Sequence, residues 1–475
     1  MLKKILFITV LCLSVSSVFA VELIPTQELL AGYLQKDSDM KNLALELKKA
    51  EISRESSQLD KGLNIKLATG NMTFNLGDEN SFSVKPSVTA SLPSTSNLSM
   101  DVSGDFSSQN GEFKFNGASA NVSLDLISSN KINNEVQKLQ SDRKVLEAQR
   151  NINSKAIDKE KSFYKSLSSL LSSISNLVSK QLSFTDDINS FEKTKLEGYS
   201  ESSSSYIRAE MKYLTSERDL QTAVHNLIND YKLFYLDCGY DIEIPEDIDF
   251  LLLVPDDISA VAPLDVTAFD RNQYTQIEST LWNDKINELS RSVNKNLSLT
   301  ANGGYSYTES NKSSSVNAGV NGSYNGLSVS ARVNVPIQNE NQQQGKGKQS
   351  PTVTVGVTYS PNTFKKNKLS DETTAITIEQ EEMKHDSVYD AYETAVQERI
   401  IKLSDLEWTK TTNQKNLEMY EEIEKSMNEY YKKGLISDKD YLSAKNNVSQ
   451  TKIKQLINNI DFILYNDDVK TMFVE

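Results

Sequence analysis

The sequence predicts an α+β membrane protein built as a duplicated helix–strands–helix–helix unit. Three observations predict it. One plan is written twice, from about Thr26 to Tyr240 and again from about Ala268 to the C-terminus. Each copy holds a cluster of runs in which apolar and polar residues alternate, and each cluster is followed by a very long helical stretch. A repeat of this size exceeds the roughly 20–50-residue period of a solenoid.

The N-terminus reads as a secretory signal over residues 1–20. Lys3 and Lys4 precede an apolar run from Ile5 to Leu13, and Val18-Phe19-Ala20 supplies small residues for cleavage. Leu11 before Cys12 is bulkier than the residue expected ahead of a lipidated cysteine. Loss of residues 1–20 removes Lys3 and Lys4 and moves the net charge from −14 to −16. Such acidity argues against nucleic acid as a partner, because phosphates require a basic surface. Cys238 is then the one remaining cysteine, so neither an internal disulfide nor a cysteine-based metal site is available. No apolar stretch approaches the length of a spanning helix, and Phe250 to Val254 is far too short. A membrane crossing must therefore use strands.

The first repeat, residues 21–240, carries its strands over about 62–127. Leu63, Ile65 and Leu67 alternate with polar residues, as do Phe82, Val84, Val88, Ala90 and Leu92, then Leu98, Met100, Val102 and Phe106. A fourth run carries Phe113, Phe115, Val122, Leu124 and Leu126, and its change of phase near Gly117 suits a bulge. In the second repeat, residues 266–475, strands are expected over about 296–360. Leu297 to Tyr307, Val316 to Tyr324, Leu327 to Val335 and Val353 to Tyr359 each keep one apolar face. Most runs have the 9–11 residues of a tilted membrane strand. Tyr305, Tyr307, Tyr324, Tyr359, Phe82 and Phe106 stand near run ends, as interfacial aromatics do. Asn325-Gly326 signals a tight hairpin, whereas Gln338 to Ser350 is a long polar loop. A soluble β-sandwich inserted in a helical protein is the competing reading of these runs.

Long helices are expected over about 131–197 and 370–433, with return helices over about 203–237 and 438–465. Phe163, Leu167, Leu170, Ile174, Leu177, Phe184, Ile188 and Phe191 follow steps of four and three, broken only at Gln181, which predicts coiled-coil packing. The stripe of the second copy is looser: Tyr392, Val396, Ile400, Leu403, Leu406, then Leu417, Tyr420, Met427 and Tyr431. A helix of this length reaches on the order of 100 Å at 1.5 Å per residue and needs partners along it. The serines between Ser166 and Ser179 fall on the opposite, solvated face. Residues 241–265, with three prolines, suit a linker or a small packing element.

Each long helix ends at a glycine: Gly198-Tyr199 in the first copy and Gly434-Leu435 in the second, where Ser437 or Asp438 can cap the returning helix. With the signal peptide, the duplication and the inserted strands, this ordered set resembles the TolC-like outer membrane efflux protein (outer membrane factor) family, over essentially the whole mature chain. The resemblance implies a homotrimer with one shared β-barrel in the outer membrane, continued by a periplasmic coiled-coil barrel. It further implies a passive exit duct for a tripartite efflux pump or type I secretion system. Its partners would be a periplasmic adaptor (membrane fusion) protein, an inner-membrane transporter and outer-membrane lipid. Gly198, Tyr199, Gly434 and Leu435 would then form the adaptor-facing tip, with Tyr431 and Asp440 at the gate. Two departures stand out. Ile436 occupies the place of the family's latch arginine, and four runs per copy replace the usual two, which gives about 24 strands per trimer instead of 12.

The sequence points away from enzyme chemistry and from any cofactor. His225 and His385 each stand alone, no Gly-x-Ser-x-Gly elbow accompanies a positioned histidine, and Gly345-Lys346-Gly347-Lys348 lacks a phosphate-loop pattern. Asp186, Asp187, Glu201, Asp438 and Asp440 cluster at the expected tip, as helix caps and solvated acids or as a cation-favouring entrance. A periplasmic or surface coiled-coil protein, or an adhesin with β domains, is the alternative function.

Overall fold

A computed structural model describes residues 24–75, 81–94, 97–109, 111–245, 248–292, 297–337 and 350–474. The signal segment, nearly all of the Gln338–Ser350 loop and the Gly345–Lys348 stretch lie outside the described residues. In order, the chain forms α1 (Thr26–Lys36), α2 (Ser38–Leu59), strands β1 (Asn64–Ala68), β2 (Met72–Asn75), β3 (Ser81–Val84), β4 (Ser87–Leu92), β5 (Leu98–Gln109) and β6 (Glu112–Ile127), then α3 (Asn130–Leu196) and α4 (Ser204–Asp237). The second half repeats the plan with α5 (Thr275–Ser292), β7 (Leu297–Thr308), β8 (Ser313–Tyr324), β9 (Leu327–Ile337), β10 (Thr352–Tyr359), α6 (Pro361–Lys432) and α7 (Asp438–Met472). The structure is therefore α+β, with long helices and one antiparallel sheet.

Two compact units form. The helical unit comprises the described residues up to Asn42, together with Ile152–Asp270 and Thr394–Val474. Its core follows the heptad seam: Phe163, Leu171 and Ile174 are fully buried, and Leu167, Leu170 and Leu177 nearly so. Leu227, Tyr231 and Phe234 of α4 and Ile453 and Ile460 of α7 pack against them. Each such side chain removed from water contributes about 1.5–3 kcal/mol before entropy is counted. The Ser168 to Ser179 face stays outward, with Ser172 and Ser179 hydroxyls donating to carbonyls one turn back.

Residues 241–265 behave as a packing element and not as a free linker. Ile244, Phe250, Leu253 and Ile258 enter the core, although proline-rich spacing hides any periodicity. The Asp257 carboxylate accepts from the backbone N–H and the hydroxyl of Thr26, which caps α1. The Tyr231 hydroxyl donates to the Leu253 carbonyl, and the Asn466 amide spans the Ala262 carbonyl and the Leu264 N–H.

The second unit comprises Leu43–Asn151 and Arg271–Glu393 and contains the sheet. The strands lie in the order β1-β4-β5-β6-β7-β8-β9-β10, with β2 paired to β3 and β3 to β5. Ten strands make eight strand lines, because β1 and β2 follow one another along one edge and β4 and β3 along the next. Both of these lines break at one level, at Gly70 and at Lys85-Pro86. Gly70 sits at φ +67°, and a Cβ there would meet the Lys85 carbonyl oxygen at 2.1 Å. Proline cannot donate to the ladder, which explains why the expected single run Phe82–Leu92 becomes two strands. The phase change near Gly117 is a bulge: Asp105 pairs with Gly117 and Phe106 with Phe115, so Asn116 is the extra residue. Within this unit α3 is tied to α5 through the Arg143 guanidinium, which donates to both oxygens of Glu278 and lies 5.2 Å from the Trp282 ring.

Candidate functional site: an apolar sheet face and two glycine turns

Register converts the alternating runs into a two-faced wall. Leu67, Val88, Val102, Ala120, Tyr305, Val316 and Val335 stand in one row across seven strand lines. The next row holds Ile65, Ala90, Met100, Val122, Gly303, Ala318, Val333 and Val353. Both rows belong to the same face, since strand side chains alternate with a period of two. That face is uncovered within the chain: Leu67 is 75% exposed, Val355 65% and Val333 39%. Soluble monomers rarely show contiguous apolar patches beyond a few hundred Å².

Aromatic side chains bound this face at both ends. Tyr324 pairs across the sheet with Leu297 and Leu327, and Leu327 with Tyr359, at the end where helices begin. At the far end Phe74, Phe82 and Phe113 form one aromatic run, and Phe106, Phe115 and Tyr307 another, with centroids 4.8–6.5 Å apart. From Leu297 to Tyr307 a strand rises about 34 Å. At a tilt of about 40° that spans about 26 Å, the height of the apolar band of an outer-membrane barrel.

The opposite face is polar and internally bonded. Thr89 donates to Asp101, Ser103 meets Ser119, and Ser306 meets Ser315. Asp125 collects Thr300 on one oxygen and Asn97 and Asn130 on the other. At the helix end Asn325-Gly326 is a tight hairpin, with φ +47° and +84°, held against the start of α6 by the Ser360 N–H donating to the Gly326 carbonyl. No described helix is long and apolar enough to cross a membrane.

In the helical unit the two turns share a left-handed glycine. Gly198 and Gly434 take φ +73° and +69°, the left-handed C′ position. The Gly434 N–H donates to the Tyr431 carbonyl and the Leu435 N–H to that of Tyr430, closing α6 with paired turn bonds. The Gly198 N–H likewise donates to Lys195. Tyr199 and Leu435 project outward, 49% and 67% exposed, and nothing lies within 4 Å of where a Cβ on either glycine would stand.

Tyr431 and Asp440 have local partners in the single chain. Asp440 completes a capping box with Ser437, and those hydrogen bonds hold its carboxyl below the usual range. Tyr431 stacks on Tyr441 at 4.8 Å and 11°. The acids nearby are also occupied: Asp186 binds the Lys439 ammonium at 2.6 Å and Asp187 that of Lys212 at 2.7 Å. The lysine pairings were not visible in the sequence, where Lys439 and Asp186 lie 253 residues apart. An aromatic ladder of Phe184, Tyr213, Phe191 and Tyr206 joins α3 to α4 just before the turn.

The remaining candidates stay dispersed. His225 meets Asn229, and His385 lies 2.6 Å from an Asp284 oxygen. Among the described residues no group of three or more His, Cys, Asp or Glu could hold a metal ion. Cys238 is buried, and that burial pushes its thiol up to about 12.

Comparison with known proteins gives two kinds of match. Residues 29–258 match the TP096X N-terminal domain and residues 259–475 the TP096X C-terminal domain, so the halves meet within the segment 241–265. No curated protein matches the chain. Among solved structures, a membrane protein from Pseudomonas aeruginosa is similar with a TM-score of 0.47 and 12% identity, covering 94% of this chain and 89% of its own. CusC, described for its transmembrane channel formation, gives 0.45 and 12%, with 94% and 91% covered. The outer membrane protein VceC from Vibrio cholerae gives 0.44 and 10%, with 94% of each chain covered.

Proposed function

With the N-terminal and the C-terminal domain of the TP096X family present in order and together covering residues 29–475, we propose that this chain is an outer-membrane channel subunit of the TolC-like kind. The observation that carries the reading is the sheet. Eight strand lines share one outward apolar face, bounded by aromatics at both ends, and put Ser, Thr, Asn and Asp on the other. Lipid suits the first face and a water-filled lumen the second. Backbone groups at an open edge are costly in hydrocarbon, so the sheet must close. Three copies joined from the β1/β2 edge of one to β10 of the next would close about 24 strands, within the range of known outer-membrane barrels.

The helices support the same assembly. Besides the stripe that includes Val396 and Leu406, α6 carries a second apolar row of Ile401, Trp408, Met419, Ile423 and Tyr430, between 38% and 71% exposed. A helix in a closed ring has a neighbour on each side and requires two such rows. The duct performs no chemistry. An adaptor protein would engage Gly198-Tyr199 and Gly434-Leu435, and an inner-membrane transporter would supply the energy. Opening would be a population shift of the tips, driven by stronger adaptor binding to the open state. Tyr431 and Asp440 would serve such a gate by setting the direction in which α7 leaves the turn.

Planar-bilayer recording of the detergent-purified protein tests the reading. Discrete conductance steps from a species of trimeric mass are expected. A monomer extracted without detergent, with no conductance, would sink it and favour the coiled-coil scaffold or adhesin.

A further inference from the structure

At the helix end of the sheet, a cavity of ≈ 730 Å³ opens where α2 hands over to β1 and where α3 begins. Its size falls within the range of small-molecule sites. Three cations line it, Arg54, Lys61 and Lys138, together with two carboxylates, Glu135 and Asp142. Among the described residues none of these five charges forms an ion pair. The half-buried Lys61 ammonium donates only to the neutral Asn134 carbonyl, at 2.9 Å. Burial draws its pKa down, Lys138 lowers it further, and Asp142 attracts it without reaching it. A protein does not gain stability by partly burying a cation without a counter-ion. An anion arriving from outside would supply one.

Position and charge narrow the ligand. Leu63, Ile65 and Leu67, 67%, 59% and 75% exposed, rise directly from Lys61-Gly62 along the edge strand. The site therefore stands where an apolar row begins and the polar helices end. The charges are mixed, with cations able to hold a phosphate and carboxylates able to hold an ammonium. We propose that this cavity binds the headgroup of a zwitterionic phospholipid, an aminoethyl phosphate diester, with its acyl chains laid along the Leu63–Ile65–Leu67 row. This rests on the membrane-channel reading of the sheet. The phosphate would lie among Arg54, Lys61 and Lys138, and the ammonium beside Glu135 and Asp142.

Native mass spectrometry of the full-length, detergent-purified protein tests it, with dioleoyl phosphatidylethanolamine, dioleoylglycerol and inorganic phosphate as separate probes. Retention of the phospholipid over the diacylglycerol is expected, falling about fivefold for each of Arg54→Gln and Lys138→Gln. Lys61→Arg should retain binding, which separates a charge requirement from a folding defect. Equal retention of dioleoylglycerol, or no change in either glutamine variant, would overturn the proposal. Inorganic phosphate bound as tightly as the phospholipid would overturn it too, by marking a simple anion site. Liposome flotation of the same variants keeps the two readings apart. Protein that inserts but does not discriminate refutes only the headgroup site, whereas protein that never inserts refutes the channel.

Discussion

The long helices of the two halves, α3 and α6, are similar in length, 67 and 72 residues, yet the chain packs them in opposite ways. In α3 the apolar seam is consumed internally, with Phe163, Leu171 and Ile174 at 0% exposure. In α6 only Val396 and Leu406 are buried, while Ile401 and Trp408 stand 61% and 71% exposed. The first helix thus packs within the chain, and the second leaves its apolar surface exposed, where the proposed assembly would place other helices. The plan written twice supplies two rods of similar length, and their different sequences give them different burial.

Phe163→Ala should break the internal side of this contrast most strongly. A cost of about 3–5 kcal/mol is expected, read as a lower chemical-denaturation midpoint of the detergent-solubilised protein. Ile401→Ala with Trp408→Ala should do the reverse. Subunit stability should change by no more than about 0.5 kcal/mol per exposed site, while the trimeric mass dissociates at higher protein concentration than wild type. If the pair unfolds the subunit and leaves association untouched, the distinction fails. Gly434→Ala sharpens the comparison at the end of α6. Forcing alanine into the left-handed region should cost about 1–2 kcal/mol, visible as faster hydrogen exchange in the first turn of α7.

The smallest effect concerns a carboxyl in the internal packing. Asp467 is 1% exposed, one of its oxygens has no partner, and burial raises its pKa, as it does that of Glu160. Native Asp467 therefore holds its proton to higher pH than the unfolded chain does. Stability from this group should be greatest below the unfolded value of about 3.9 and decline as pH rises through the raised native value. Asp467→Asn should accordingly raise the melting temperature at pH 7 and have no such effect near pH 3. An identical shift at both pH values would show that titration is not the cause.

Legibility in the sequence followed the same division. The α3 seam was readable because every core position obeys one period, and Gln181 marks its single interruption. Along α6 the stripe was visible, but which residues it buries depends on neighbours that no periodicity names. The strand lines were readable except at their breaks. Met72 to Asn75 offers only two alternations, too few to stand out, and Pro86 was the signal that the second run would split. Residues 241–265 enter the core at irregular spacing, so Ile244, Phe250, Leu253 and Ile258 gave no pattern. At the turns the glycines were legible, whereas the clasp between Lys439 and Asp186 is a product of folding alone.

The two margins of the sheet carry a last consequence. β1 and β2 together expose a line of backbone groups comparable in reach to the eight-residue β10. One margin can thus template the other, and within the chain the two stay unpaired with each other. A lone subunit would carry two unsatisfied hydrogen-bonding ladders into oil or leave an apolar wall in water, and either state is prone to misassociation. On the proposed channel reading, a lone copy then has no stable halfway point. On the same reading, insertion and joining of copies would be one cooperative event, with a rate that depends steeply on how many copies meet at the bilayer surface.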